Sequence, residues 1–256
     1  MKIRLLSDIH VEFYKAYNGF NEPHILKSQG EDVLVLAGDI GVGADQVAKT
    51  LQAFIDGGAK HVVYVTGNHE YYRSTHQDLE QNLALALDSM PQVHWLRGGS
   101  VVELGGVYFM GATLWTNFDE DPVAETLSSR CISDFRAIKG FSTKQCKELF
   151  YADLEGLQQQ YVSLDPDAKK VVVTHFLPSP LATHPKYRAT NDPVNKYFAN
   201  DLDHWIEVLH NTTWLFGHTH EAMQFKLHNT DFYCNPLGYP GEQQTNPFNS
   251  KLIINL

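Results

Sequence analysis

Five short apolar runs, each broken off at a polar tip, leave this chain few ways to fold. The first covers residues 2–6 and runs into Ser7-Asp8-Ile9-His10. Residues 32–37 stop at Gly38-Asp39, and residues 61–66 stop at Gly67-Asn68-His69-Glu70. Residues 169–174 stop at His175, and residues 214–216 stop at Gly217-His218-Thr219-His220. Short Val- and Leu-rich runs ended by glycine or a polar residue fit parallel strands that are covered on both faces. Val47, Leu51 and Phe54 recur at helical spacing after the second run, as do Leu79, Leu83 and Leu87 after the third. Strand–helix–strand–helix order implies an α/β fold with a mostly parallel sheet. In such sheets ligands bind beyond the carboxyl ends of the strands, so the polar tips are expected to meet there. Asp8 and His10, on alternate positions of an extended segment, are expected to point the same way.

The middle of the chain changes character. Residues 93–96, 100–104 and 106–114 read as short strands joined by glycine turns. Residues 115–140 read as a long irregular loop, and residues 144–161 as an amphipathic helix. A Pro-containing loop is expected over residues 176–200, a helix over 201–209, and late strands near 224–227, 232–235 and 251–255. Without repeat or linker, residues 1–256 read as one domain. With 43% hydrophobic and 20% charged residues, the chain has the composition of a packed globule. Its formal net charge of −10 argues against general binding to nucleic acid or to an anionic membrane. Three widely separated cysteines form neither a disulfide framework nor a zinc-finger spacing, so a reducing, cytoplasmic setting is expected. No apolar run reaches transmembrane length. A strand bearing Asp8 and His10 starts too early for the N-terminus to read as a signal peptide.

The tips carry a coherent set of donors: the carboxylates of Asp8 and Asp39, the amide oxygen of Asn68, and the imidazoles of His10, His175, His218 and His220, with His69 to spare. Any one of these also fits an ordinary turn or helix cap. Together they suffice for two divalent metals that share a carboxylate. Gly38, Gly67 and Gly217 sit where the chain must turn sharply and come close to a ligand.

Asp8-x-His10, Gly38-Asp39, Gly67-Asn68-His69-Glu70, His175 and Gly217-His218-x-His220 resemble, in order, the five motifs of the calcineurin-like metallophosphoesterases. The resemblance implies a four-layer α/β/β/α sandwich of two mixed β-sheets flanked by helices. It implies one metal on Asp8, His10, Asp39 and His220, and a second on Asp39, Asn68, His175 and His218. The implied reaction is hydrolysis of a small phosphorylated substrate, mono- or diester, by a metal-bridging hydroxide. Mn is the first expectation for the two ions, with Fe, Zn, Ni or Co as alternatives. His69 is expected to be no ligand but to face the substrate, where it stabilises charge or protonates the leaving oxygen. The family's Ser/Thr protein phosphatases extend Gly-Asp with an acidic residue and an arginine, where this chain has Val42 and Gly43. Its purple acid phosphatases place a tyrosine where Val42 stands. Two other readings share this fold: a nuclease, which needs a basic groove, and a non-catalytic scaffold, which expects broken ligands.

Around the tips, Glu70 is expected to cap the next helix or to hold a ligand from behind. Tyr71, Tyr72 and Tyr239 are candidates to line the pocket, and Arg136 is expected to pair with an acidic neighbour. The pocket wall is assigned to residues 115–140, 176–200 and 235–242. His24, His61, His76, His94, His184, His204, His210 and His228 lack motif context and read as structural or solvated.

Overall fold

The computed structural model describes residues 1–14 and 24–256. Five strands form one sheet in the order β11-β1-β2-β3-β4: Ile253–Asn255, Lys2–Leu6, Val33–Ala37, Val62–Val65 and Val93–Trp95. All neighbours are parallel except β11 against β1. Six strands form the other in the order β5-β6-β7-β8-β10-β9: Val101–Leu104, Val107–Ala112, Lys169–Thr174, Thr212–Phe216, Thr230–Cys234 and Met223–Leu227. Here β6, β7, β8 and β10 run parallel, and the two edge strands are antiparallel.

Alternation along the strands sorts side chains into layers. Val33, Val35 and Ala37 of β2 join Ile3, Leu5, Val63 and Val65 in a cluster with Phe109, Val171, Val173 and Leu215, which fills the space between the sheets. Leu34, Leu36, Val62 and Tyr64 face the other way. They meet Val47, Leu51 and Phe54 of α2 (Ala44–Asp56) and Leu83 of α3 (His76–Leu87). The outer face of the second sheet, with Met110, Val172, Trp214 and Phe232, packs on Cys146, Phe150 and Leu157 of a long helix, Thr143–Ser163. The molecule is therefore two mixed sheets between layers of helices, as expected.

Two expected loops are partly helical. Residues 115–140 contain the helices α4 (Pro122–Cys131) and α5 (Asp134–Ala137), so the long helix is α6. Asp121 caps α4 by accepting from the Val123 and Ala124 N–H groups, and Pro122 opens it, so the start signal was present. Residues 176–200 contain the single turns α7 (Pro185–Arg188) and α8 (Asn195–Phe198); α9 (Asp203–Glu207) lies where the last helix was expected. The polar, aromatic stretch from His10 to Gly30 reads from its sequence as a loop with a short helix; a turn of helix, α1 (Val11–Tyr14), follows the first tip, and residues 15–23 lie outside the described residues. No helix among the described residues is long and apolar enough to cross a membrane.

Gly156 sits mid-way along α6, where glycine weakens a helix. A Cβ there would lie 2.1 Å from the Gly98 carbonyl oxygen, and one on Gly99 would lie 2.2 Å from the Gly156 carbonyl carbon. Helix and turn thus touch backbone to backbone. Gly156→Ala would gain about 1 kcal/mol in a free helix; here the collision is expected to turn that into a loss of about 1–3 kcal/mol. A lower denaturant midpoint checks this, and a raised midpoint would contradict the close packing.

Candidate metal centre

All five tips meet at one end of the two sheets, but not as extended segments. β1 ends at Leu6, so the period-two alternation does not place Asp8 and His10. Asp8, His10, Asp39, His218 and His220 have φ between 48° and 69°. That left-handed region is rare outside glycine, although Asp, Asn and His enter it more readily than most. Backbone bonds hold the turns: Asp8 N–H donates to the Gly38 carbonyl at 3.0 Å, and His10 N–H to the Asp39 carbonyl at 2.9 Å. The Asp8 carboxylate accepts from the His218 N–H at 3.0 and 3.1 Å, and Asp39 Oδ1 accepts from the His69 N–H at 2.8 Å. The Gly67 turn needs its missing side chain, since a Cβ would lie 2.2 Å from Asp39 Oδ1.

Glu70 holds the turns from behind rather than capping a helix. Its buried carboxylate accepts from the Asp39, Ile40 and Gly67 N–H groups at 3.2, 3.0 and 2.9 Å and from the Tyr64 hydroxyl at 2.9 Å. Burial, and then the charge of Asp39, push its pKa up to about 8.

The imidazoles are oriented from outside. His10 Nδ1 donates to Glu12 Oε1 at 3.0 Å, His220 Nδ1 to Glu242 Oε2 at 2.7 Å, and His175 Nδ1 to the Ala37 carbonyl at 2.9 Å. Each such bond directs Nε2 inward, the arrangement of metal-ligating histidines. Inside, the His10 and His220 Nε2 atoms lie 3.1 Å apart. Asp39 Oδ2 lies 3.6 Å from His10 Nε2 and 3.5 Å from His175 Nε2. Asp8 Oδ1 is 3.5 Å from His220 Nε2. His218 Nε2 is buried without a hydrogen-bond partner among the described residues. Asn68 donates its amide to Asp134 Oδ1 at 3.1 Å, which turns its oxygen to within 3.0 Å of His175 Nε2. Asp8–His10–His220 and Asp39–His175–His218 each bring one donor atom per residue within 4.8 Å of the others. Facing nitrogens, an orphaned imidazole and two buried carboxylates form a donor set that suits borderline divalent cations.

Electrostatics separate these histidines. Burial opposes charge on His175, yet Asp39 and Asp8 outweigh it and raise its pKa to about 9. Burial also opposes charge on His220, where Asp8 and Glu242 win and raise it to about 10. At His218, burial and the neighbouring His175 charge push the pKa well down, so it stays neutral.

His69 lies beside the donors. Its Nδ1 donates to the same Glu12 oxygen at 3.0 Å, and its ring stacks on Tyr72 with centroids 4.2 Å apart. The Tyr239 hydroxyl is 3.4 Å from His69 Nε2, and the Tyr239 ring packs against His10 and His220. Burial disfavours His69 imidazolium, but Asp39 and Glu12 overcome it and raise the pKa.

Several neighbours stand elsewhere than the sequence suggests. Among the described residues the Arg136 guanidinium pairs with no acidic neighbour; it donates to the Arg130 and Cys131 carbonyls at the end of α4. Tyr71 is buried and bonds Thr66 and Glu80. Residues 115–140 lie behind the site rather than around it, contributing Asp134, which also accepts from the hydroxyls of Tyr72 and Tyr197. Glu12, Asp134 and Glu242 were missed as orienting groups. Only Glu12, two residues after His10, had a signal in its position.

Known proteins share the sequence pattern and the fold of this chain. A sequence relative, an uncharacterized protein of Acanthamoeba polyphaga mimivirus, is 27% identical over 278 residues, covering 99% of this chain and 96% of its own length. The crystal structure of phosphopantetheinyl hydrolase from Mycobacterium tuberculosis superposes with a TM-score of 0.71 at 18% identity, covering 93% of this chain and 90% of that one. A dimetal phosphatase from Danio rerio superposes at 0.52 with 14% identity, covering 91% and 86%. The profile of the calcineurin-like phosphoesterases matches residues 1–222, and the chain belongs to that family.

Proposed function

We propose that this chain is a hydrolase of phosphate esters of small molecules that works with two divalent metal ions. The observation that carries the reading is the adjacency of two donor clusters, Asp8–His10–His220 and Asp39–His175–His218, with Asp39 Oδ2 3.6 Å from His10 Nε2 and with the buried His218 Nε2 unpartnered among the described residues. In this reading Asp8, His10, Asp39 and His220 hold one ion, and Asp39, Asn68, His175 and His218 hold the other. Ions bound there supply Lewis-acid charge to the phosphate oxygens and acidify the attacking water. Mn is the first choice, with Fe, Zn, Ni and Co behind it. His69 is the general acid: charge from Asp39 and Glu12 favours its protonated form beside the donors. Glu12 fixes the tautomers of His10 and His69 together, which makes it a positioning residue. The complete donor set speaks against a scaffold, and the net charge of −10 against a nuclease. Buried Cys146 and Cys234, with exposed Cys131 unpaired, fit a reducing, cytoplasmic setting.

Metal uptake should be proton-linked. The pKa values of His175 and His220 are raised to about 9 and about 10, so both rings carry an extra proton at pH 7 in the metal-free fold. A ligating imidazole must be neutral, so binding expels these protons. Affinity for Mn²⁺ should rise as pH rises towards 9–10 and fall on acidification. The same raised values stabilise the metal-free fold below pH of about 6.5, and that stability fades as pH climbs through 9 and 10. Calorimetry in buffers of different ionisation enthalpy measures the release; binding without any proton release would contradict the assignment. EDTA should abolish ester hydrolysis and Mn²⁺ should restore it, and unchanged turnover after verified metal removal would sink the mechanism.

A general acid matters most when the leaving oxygen is basic. His69→Ala should cost roughly 10²–10⁴-fold in kcat on an alkyl phosphate ester, and less on a p-nitrophenyl ester, with metal content retained. Glu12→Gln should follow the same leaving-group trend more weakly and, because Glu12 also orients His10, should lower the affinity for Mn²⁺, which His69→Ala should not. Equal losses on both esters would make His69 an electrostatic stabiliser instead.

A further inference from the structure

We propose that a cavity beside His218 and His220 receives the alcohol portion of the substrate, and that this alcohol is uncharged, with an apolar body. The inference rests on the phosphoesterase reading above and adds the substrate class to it.

The cavity encloses about 190 Å³ and opens onto the same two histidines that face the donor clusters. Leu177, Tyr187 and Phe198 line it with carbon. Phe198 and Phe176 also pack on the His218 ring, with centroids 5.1 and 4.2 Å away, so the apolar wall begins at the imidazole itself. Ligand sites of this kind, apolar with a few placed polar groups, bind by burying carbon and read orientation from the polar atoms.

Thr219 stands on the wall between His218 and His220, but its Oγ1 is closed off from the cavity, so the wall is read by its carbon and by its charge.

Charge narrows the class further. Among the described residues no Lys or Arg lines the cavity. Lys186, next to Tyr187, is already held by Glu221, which also accepts from the Thr245 and Asn246 N–H groups. Glu242 adds a carboxylate to the wall. A second phosphate or a carboxylate at the far end of the alcohol, among Leu177, Tyr187 and Phe198, would find no Lys or Arg of the wall to pair with. Neutral apolar alcohols fit; nucleotides and other polyanions do not.

The test is calorimetric binding of non-hydrolysable alkylphosphonates to the Mn²⁺-loaded protein. Affinity is expected to rise about fourfold per added methylene until the cavity is full. Phe198→Ala should flatten the chain-length series. Tyr187→Ala, at a position 38% exposed, should flatten it in part without touching the core. An affinity independent of chain length, or a preference for carboxylate-ended chains, would overturn the subsite. Failure of the two readings is separable: a chain-length gradient without ester hydrolysis removes the enzyme and keeps the subsite, whereas hydrolysis with a flat series does the reverse.

Discussion

The site depends most on one buried carboxylate, that of Glu70. Two turns from different strands, after β2 and after β3, are tied to it by three backbone N–H groups. Asp39 stands on the first turn and Asn68 on the second, so their spacing is set by a single side chain. Tyr64, in the layer between the first sheet and its helices, anchors that side chain in turn. The core therefore positions the donors through one short path. A carboxyl group does this where an amide would not, because both of its oxygens take two of these contacts each, and an amide would put an NH2 group where one oxygen stands.

A second layer of acceptors finishes the geometry. Glu12, Glu242 and the Ala37 carbonyl each receive an Nδ1–H and leave Nε2 facing inward. These three come from remote parts of the chain, and one of them is backbone. Such partners carry little sequence signature: a carboxylate is needed at a place in space, and any loop that passes there can supply it.

This explains what was legible in advance. Buried strands announce themselves by unbroken Val and Leu runs, so the strand-and-tip order and the expected meeting of the tips followed from residues such as Val33–Ala37 with Gly38-Asp39, whereas the two-sheet sandwich came only with the resemblance of the five tips to a known family. Residues 115–140 misled because α4 has a weak apolar face, with only Ala124 and Ser128 buried, so its periodicity is faint despite its Asp121-Pro122 start. Arg136 misled because the partners it found are carbonyls, which sequence does not display. Tyr239 was ambiguous for the same reason as Glu242: both stand on a late turn whose path is decided by β1, since Gly238 N–H bonds the Asp8 carbonyl and Leu237 N–H the Ser7 carbonyl.

The left-handed turns at Asp8, His10, Asp39, His218 and His220 also restrict what evolution or an engineer can put there. A residue at these positions must satisfy the backbone before it can serve as a donor. Asn, Asp, His and Gly meet that condition; Val, Ile and Thr do not, because a branched Cβ crowds the carbonyl in this region. The accessible neighbours of this donor set are therefore other Asp/Asn/His mixtures, and a shift of metal preference can be explored without leaving the fold. Loss of the metals by drift would more readily leave Asn or Gly at the tips than an aliphatic residue, and relatives that have given up chemistry should carry that signature.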